Sequence, residues 1–293
     1  MKIAIKLTVL FLIATFTFAM LYFSSKLKSS AQSNNRSLIR ISSYNLRLDF
    51  EGDGINAWPN RKEMVKELIG FHDFDIIGIQ EGFKHQLDDI LELGNYDYKG
   101  SGRDGEDTGE HSAIIFKKDR FIVLDKGDFW YSETPEVPSL GWDATCCNRI
   151  CSWVKLRDKN SDIEFFVFNS HFDHEGREAR KNSSLLLIER IEQIAKGYPV
   201  FATGDFNATP DSEPIQIIYN SEVLNDSYLT TEHPPYGTEG TFNAFKIDIP
   251  IKDRIDYIWA TPNITIKKYR VLNDMNHGRF PSDHFPVVVD AIL

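Results

Sequence analysis

The amino-acid sequence predicts an α/β sandwich, two β-sheets packed face to face with helices outside. Ten short runs rich in Ile, Val, Phe and Tyr recur along the chain, each bounded by Gly, Pro, Asn or Asp, as strands closed by turns are. Segments of helical spacing lie between them, and helices interleaved with this many strands fit a layered fold. A chain of 293 residues, 42% hydrophobic and 13% aromatic, has ample material for one core, so one folded domain is expected.

In chain order the strands fall at 38–45 ("LIRISSYN"), 75–81, 111–116, 120–131, 150–156, 163–171, 198–206, 254–260, 264–272 and 285–293. The clearest helix spans about 175 to 196, where Leu187, Ile188, Ile191, Ile194 and Ala195 repeat at helical spacing against polar neighbours. Shorter helices are expected at 60–70 and 84–93.

The N-terminus differs in character. Leu7 to Phe23 is a run of 17 uncharged, mostly apolar residues preceded by Lys2 and Lys6, the layout of a secretory signal or a short membrane anchor. Ser29 and Ala31 are spaced for cleavage after Ala31 but lie far beyond the apolar run, so both outcomes stay open. Residues 1–36 are therefore read as signal or anchor plus linker. The domain is expected to work outside the cytosol, secreted or membrane-anchored.

Residues 1–36 carry five basic and no acidic residues, leaving 28 basic against 43 acidic in the remainder, a net of −15. Such a surface cannot hold nucleic acid by charge alone, because phosphate neutralisation needs clustered Lys and Arg. An anionic substrate would need help from a cation. The three cysteines, Cys146, Cys147 and Cys151, fall within "CCNRIC"; one short-loop disulfide with one thiol left over fits an oxidising compartment, and a structural role is the default.

Polar residues gather at strand ends. Asn45, Glu81, His171, Asp205 with Asn207, and Asp256 are expected at or just after the C-terminal ends of strands, and Asp283 and His284 just before one. Loops leaving one side of a sheet are where rigid scaffolds assemble sites. In "GDFN", Asp205 and Asn207 are expected on one face of an extended segment. His171 closes an apolar strand and is the better candidate for chemistry, whereas His174 is read as a buried or loop-contact histidine. Oxygen ligands without cysteine favour Mg²⁺, Mn²⁺ or Ca²⁺ over zinc. A hard cation beside two histidines and an aspartate suits hydrolysis of a phosphate ester.

The ordered motifs "YNLR", "IQE", "NSHFDH", "GDFNATPDSEP", "RIDYIW" and "SDHFPV" resemble the endonuclease/exonuclease/phosphatase superfamily, the group of DNase I, abasic endonucleases, neutral sphingomyelinases, inositol polyphosphate phosphatases and CCR4-like deadenylases. The likeness covers about 38 to 293 and is nearest a bacterial-type branch. It implies a four-layered sandwich of two mostly antiparallel sheets, with 37–293 as the catalytic domain. It also implies Asn45 and Glu81 as metal ligands with Asp283 near the same cation, Asp205 orienting or deprotonating the attacking water, and Asn207 holding the phosphate or that water. His284 paired with Asp256 would contact the phosphoryl group, with His171 on its other side and Glu110 fixing His171. Arg149 would contact the phosphate, an assignment left open because "CCNRIC" departs from the expected spacing.

Asn207-Ala208-Thr209 also fits a glycan acceptor, one of five such triplets with Asn35, Asn182, Asn225 and Asn263; the site role explains Asn207 better. Substrate choice is assigned to loops 100–111, 129–147 and 233–248, with Arg103, Trp130, Trp142 and Phe245 as contacts beside Arg149. The expected function is a metal-dependent phosphodiesterase or nuclease acting on nucleic acid ends or nucleotides. The alternative is a phospholipid or sugar-phosphate hydrolase, with membrane attachment through residues 7–23. An inactive binding module is disfavoured, since every expected polar position holds a competent residue. A monomer is the default.

Overall fold

A computed structural model describes residues Ser37–Leu293; the predicted signal or anchor lies outside the described residues. Among the described residues, no helix is long and apolar enough to cross a membrane.

Two six-stranded sheets form the centre. The first runs β11(Thr265–Val271), β12(Val287–Ile292), β1(Leu38–Asn45), β2(Ile76–Gln80), β4(Ile114–Lys117), β3(Tyr96–Lys99). The second runs β5(Phe121–Trp130), β6(Ile150–Asp158), β7(Glu164–His171), β8(Val200–Asp205), β10(Asp256–Ala260), β9(Asn225–Asp226). Pairing is antiparallel except for β1 with β2 and β7 with β8, one parallel pair at the middle of each sheet. The long helices supply the crossovers that parallel neighbours require.

The layers follow from where the apolar residues fall. Ile39, Ile41 and Ile76 of the first sheet meet Val154, Val167 and Phe201 of the second in the inter-sheet core. α1(Lys62–His72) and α2(Lys84–Leu91) cover the outside of the first sheet through Val65, Ile69, Leu87 and Ile90. α3(Arg177–Ala195) and α4(Glu213–Tyr219) cover the second through Leu187, Ile191, Ile215 and Ile218. This is the four-layered sandwich expected. All ten expected strands are present with ends moved by a few residues; β3, β9, α4 and the one-turn helix α5(Ser227–Thr230) had no sequence signal, being short or polar.

Toward one end of the sandwich the inter-sheet core turns polar. Gln80 Nε2 and Thr203 Oγ1 donate to Asn169 Oδ1 at 2.7 and 2.9 Å, and Asn169 Nδ2 donates to the carbonyls of Ile79 and Ala113 at 2.6 and 3.0 Å. Gly78 is required opposite this group, because a Cβ there would lie 2.1 Å from Thr203 Oγ1 and 2.5 Å from Asn169 Oδ1. Gly78→Ala is therefore expected to destabilise the fold by about 1–3 kcal/mol through overpacking, read from the midpoint of urea unfolding. An unchanged midpoint would show that the sheets slide apart without cost.

Candidate active site

The ends of β1, β2, β7 and β8 deliver Asn45, Glu81, His171 and Asp205 to one edge of the sandwich. Asn45 Nδ2 donates at 3.0 Å to both Glu81 Oε1 and Asp205 Oδ2, so one buried amide ties the two sheets together at the site. Glu81 sits just past β2 with φ 60° and its other oxygen accepts from the Leu48 amide.

Two assignments of direction are corrected. Asp256 begins β10 rather than ending a strand; β10 runs antiparallel to β8, which sets Asp256 directly opposite Asp205. Asp205 and Asn207 do not share the face of an extended segment either. β8 ends at Asp205, Asn207 turns left-handed at φ 47°, and its backbone amide donates back to Asp205 Oδ1 at 2.9 Å. The two side chains still converge, through a turn.

Two imidazoles flank Asp205. His171 Nε2 lies 3.6 Å and His284 Nε2 3.8 Å from Asp205 Oδ2, yet their charge states differ. Burial works against charge on His284, but Asp256, 2.8 Å from Nδ1, and Asp205 outweigh it and hold the ring well above its usual range. For His171 burial prevails, and the Arg149 guanidinium adds to it, holding the ring well below. Arg149 Nη1 stands 3.1 Å from His171 Nδ1. A guanidinium can only donate, so Nδ1 accepts from it, while Nε2 faces the Asn207 amide nitrogen at 3.2 Å. Glu110 was expected to fix His171, but it lies 3.9 Å from Nδ1 and pairs with Arg103 at 2.8 Å; Arg149 makes the contact instead.

These residues line a cavity of about 450 Å³ with Arg47, Arg103, Glu110, Arg149, His174 and Phe242 in its wall. Asn45 and Asp256 stand behind it, each fully buried and bonded to a lining residue. Trp130, Trp142 and Phe245 do not line it. Trp130 supports Arg103 by donating to its carbonyl, Trp142 packs on the outer core, and Phe245 lies beside Arg61. Sequence reasoning missed Arg47 and placed His174 in a lesser role. Arg47 was visible in "YNLR"; His174 enters because Arg149 Nη2 holds its Nδ1 at 2.8 Å. Phe242 had no sequence signal beyond its aromatic loop and reaches the cavity by pairing with His284.

The donor set fits a hard cation. Glu81, Asp205, Asp256 and Asp283 crowd around the two histidines, and the oxygen and nitrogen atoms of Glu81, His171 and Asp205 lie within 4.8 Å of one another. Burial first, then the charge of Asp256, pushes Asp205 up to about 7; burial and Glu81 raise Asp283 as well. A divalent cation would relieve carboxylates driven toward protonation in this way, and the candidates to hold it are Glu81 and Asp283, with Asn45 behind them accepting from the Arg47 amide. A second group, Cys146 with Asp173 and His174, lacks a free thiolate because Cys146 and Cys147 form a disulfide. Cys151 is the leftover thiol, and burial pushes it up to about 12, which keeps it inert. Asn207, half-buried, donates from Nδ2 to the Phe172 carbonyl at 3.0 Å and faces His171 Nε2 at 3.2 Å.

The family profile described as Endonuclease/Exonuclease/phosphatase family matches residues 42–284, and the chain belongs to that family. It is thus a metal-dependent hydrolase of phosphate esters. A mannosyl-6-phosphatase of Bacteroides thetaiotaomicron is 41% identical, covering 87% of this chain and 100% of that one with a TM-score of 0.83. A family protein from the same organism is 40% identical, covering 88% and 96% with a TM-score of 0.85. The Ccr4 exoribonuclease subunit of Aspergillus terreus is 23% identical over 78% of this chain, which spans 46% of that protein.

Without a cation the folded protein retains protons on Asp205 and Asp283 that the unfolded chain has released, so its stability falls as pH rises from the ordinary carboxylate range to about 7. A divalent cation replaces those protons. The rise in Tm on adding Mg²⁺ is expected to be larger at about pH 8 than at about pH 5 and to be lost in Glu81→Gln. Equal shifts at both pH values would remove the cation from these residues.

Proposed function

We propose that the protein is a phosphatase that removes a phosphate monoester from a sugar, with Mg²⁺ as its cation and Mn²⁺ or Ca²⁺ as substitutes. The observation that carries this reading is the set of arginines in the cavity wall. Arg47, Arg103 and Arg149 line it, and Arg103 and Arg149 also line an adjoining void of only about 10 Å³. In a chain of net charge −10 these arginines and the charged His284 put cations where a phosphate can meet them. A terminal phosphate brings two negative charges to them; a diester brings one. The identity with a mannosyl-6-phosphatase favours a sugar as the alcohol.

Each residue then has a task. Glu81, Asp283 and Asn45 would hold the cation, whose chemistry is to offset charge on the phosphoryl oxygens. Asp205 takes the proton of the attacking water, held in place by the Asn45 amide. Protonated His284, braced by Asp256, donates to a phosphoryl oxygen, and neutral His171, held by Arg149 at Nδ1 and facing Asn207 at Nε2, lines the other flank. Asn207 orients the water or the phosphate. Arg149 and Arg103 neutralise phosphate oxygens, Arg103 being steadied by Glu110.

The Ccr4 likeness favours a second reading, a phosphodiesterase acting on nucleic acid ends or nucleotides. The acidic surface argues against tracking a long polyanion. A phospholipid substrate would depend on attachment through residues 7–23. The proposal also keeps the domain outside the cytosol, on the sequence of that segment alone.

Purified protein with Mg²⁺ is expected to hydrolyse mannose 6-phosphate and p-nitrophenyl phosphate at least about 100-fold faster than bis(p-nitrophenyl) phosphate, judged by kcat/KM. The reverse order would transfer the site to the diesterase reading. Asp205→Asn and His284→Ala are each expected to lower kcat by about 10²–10⁴, and steady-state kinetics showing a wild-type kcat in either would refute its role.

A further inference from the structure

The two adjacent cysteines of "CCNRIC" have no part in the reaction described above, yet the fold sets them at the wall of its site. Cys146 and Cys147 are bonded to one another, Cys147 lines the catalytic cavity, and Cys146 is exposed. Arg149, buried and lining the same cavity, follows two residues later. Its guanidinium stands 3.1 Å from His171 Nδ1, 2.8 Å from His174 Nδ1 and 3.6 Å from the Asp173 carboxylate.

The pair lies in an irregular segment that is held on both sides. Upstream, the Asp143 carboxylate accepts from the amides of Glu178 and Ala179 at 3.0 and 2.7 Å, in the first turn of α3, and Thr145 bonds to Glu175. Downstream, Asn148 donates to Asp104 at 3.1 Å and Ile150 begins β6. Among the described residues neither Cys146 nor Cys147 makes a backbone hydrogen bond, so the covalent bond is what restrains these two positions. The sulfur of Cys146, an oxygen of Asp173 and a ring nitrogen of His174 lie within 4.8 Å of one another, which sets the pair against the groups that hold Arg149.

A disulfide offers neither a proton nor a charge, whereas thiols are weak donors and, once ionised, attract a guanidinium. Reduction therefore removes a restraint beside Arg149 and adds competitors for it. Cys151 stays out of such exchange, which proceeds through thiolates: it is buried, and burial pushes its thiol up to about 12. We propose that the bond between Cys146 and Cys147 is a thiol–disulfide exchange site for a dithiol reductant, and that its reduction weakens phosphate binding in the catalytic cavity through Arg149. One thiolate of the reductant attacks a sulfur of the pair and the S–S bond breaks to a mixed disulfide. The reductant's second thiol then displaces the protein sulfur, so that the reductant leaves as a disulfide and Cys146 and Cys147 remain as thiols. The proposal holds for a monoester or a diester substrate alike.

The test measures the dissociation constant of inorganic phosphate with Mg²⁺ by calorimetry, and kcat and KM for p-nitrophenyl phosphate, on the full chain. Samples are air-oxidised, reduced with dithiothreitol, and reoxidised, in wild type and in the double variant Cys146→Ser/Cys147→Ser, with peptide mass spectrometry reporting the bond in each. Reduction of the wild type is expected to raise the dissociation constant and KM by about three- to tenfold, the loss of part of one charge-assisted hydrogen bond, with kcat changed less than about twofold. Reoxidation is expected to reverse the change. The double variant is expected to bind phosphate as the reduced wild type does and to ignore dithiothreitol. The dissociation constant decides: a value unmoved by reduction, or a response that persists in the double variant, overturns the proposal, as does mass spectrometry that finds Cys146 and Cys147 unbonded in the air-oxidised protein.

Discussion

The buried amide of Asn169 is the constraint on which the site depends. It spends all four of its hydrogen-bonding capacities across the sandwich, accepting from Gln80 and Thr203 and donating to the carbonyls of Ile79 and Ala113. Apolar packing alone would let two sheets slide over one another at small cost, whereas a fully satisfied polar group in a dry interior has one geometry. Gln80, Asn169 and Thr203 stand one or two residues before Glu81, His171 and Asp205. The register of the sheets is therefore set immediately beneath the groups that must meet.

The loops above this belt are tied by backbone contacts rather than left to their own preferences. Arg61, fully buried, donates to the carbonyls of Asn56, Leu46, Arg47 and Pro281, joining the segment after Asn45 to the segment before Asp283. Asn243 holds the carbonyls of Ser282 and Asp283, and Thr241 Oγ1 accepts from the amides of Ile255 and Asp256. A cation and a phosphate bound here meet ligands already positioned, which limits the ordering cost of binding.

Both signs of charge meet in the cavity wall. Glu81, Glu110, Asp205 and Asp283 share it with Arg47, Arg103 and Arg149, and the adjoining cavity has two arginines and two carboxylates. Asp205 is flanked by one charged and one neutral histidine. The same side-chain type is held in opposite states: burial, with Arg149 adding to it, keeps His171 low, whereas Asp256 and Asp205 outweigh burial at His284. A net charge of −10 for the chain is thus compatible with an anionic substrate.

By itself the sequence determined the layered α/β class, ten of the twelve strands and the main helices, and offered the motif residues from Asn45 to His284 as candidates, because apolar periodicity and polar strand ends are local properties of the chain. It also offered Arg103 and Arg149 as substrate-side candidates, and left the redox state of the three cysteines open. Only the tertiary structure decided which groups touch. That Asp256 opens its strand opposite Asp205, that Arg149 rather than Glu110 meets His171, and that Phe242 rather than Trp130, Trp142 or Phe245 reaches the cavity all follow from pairings between segments far apart in the chain. The physical reason is that strand direction, ion-pair choice and loop placement are settled by partners across the fold, and a residue's own neighbours in sequence do not specify which partner it will find.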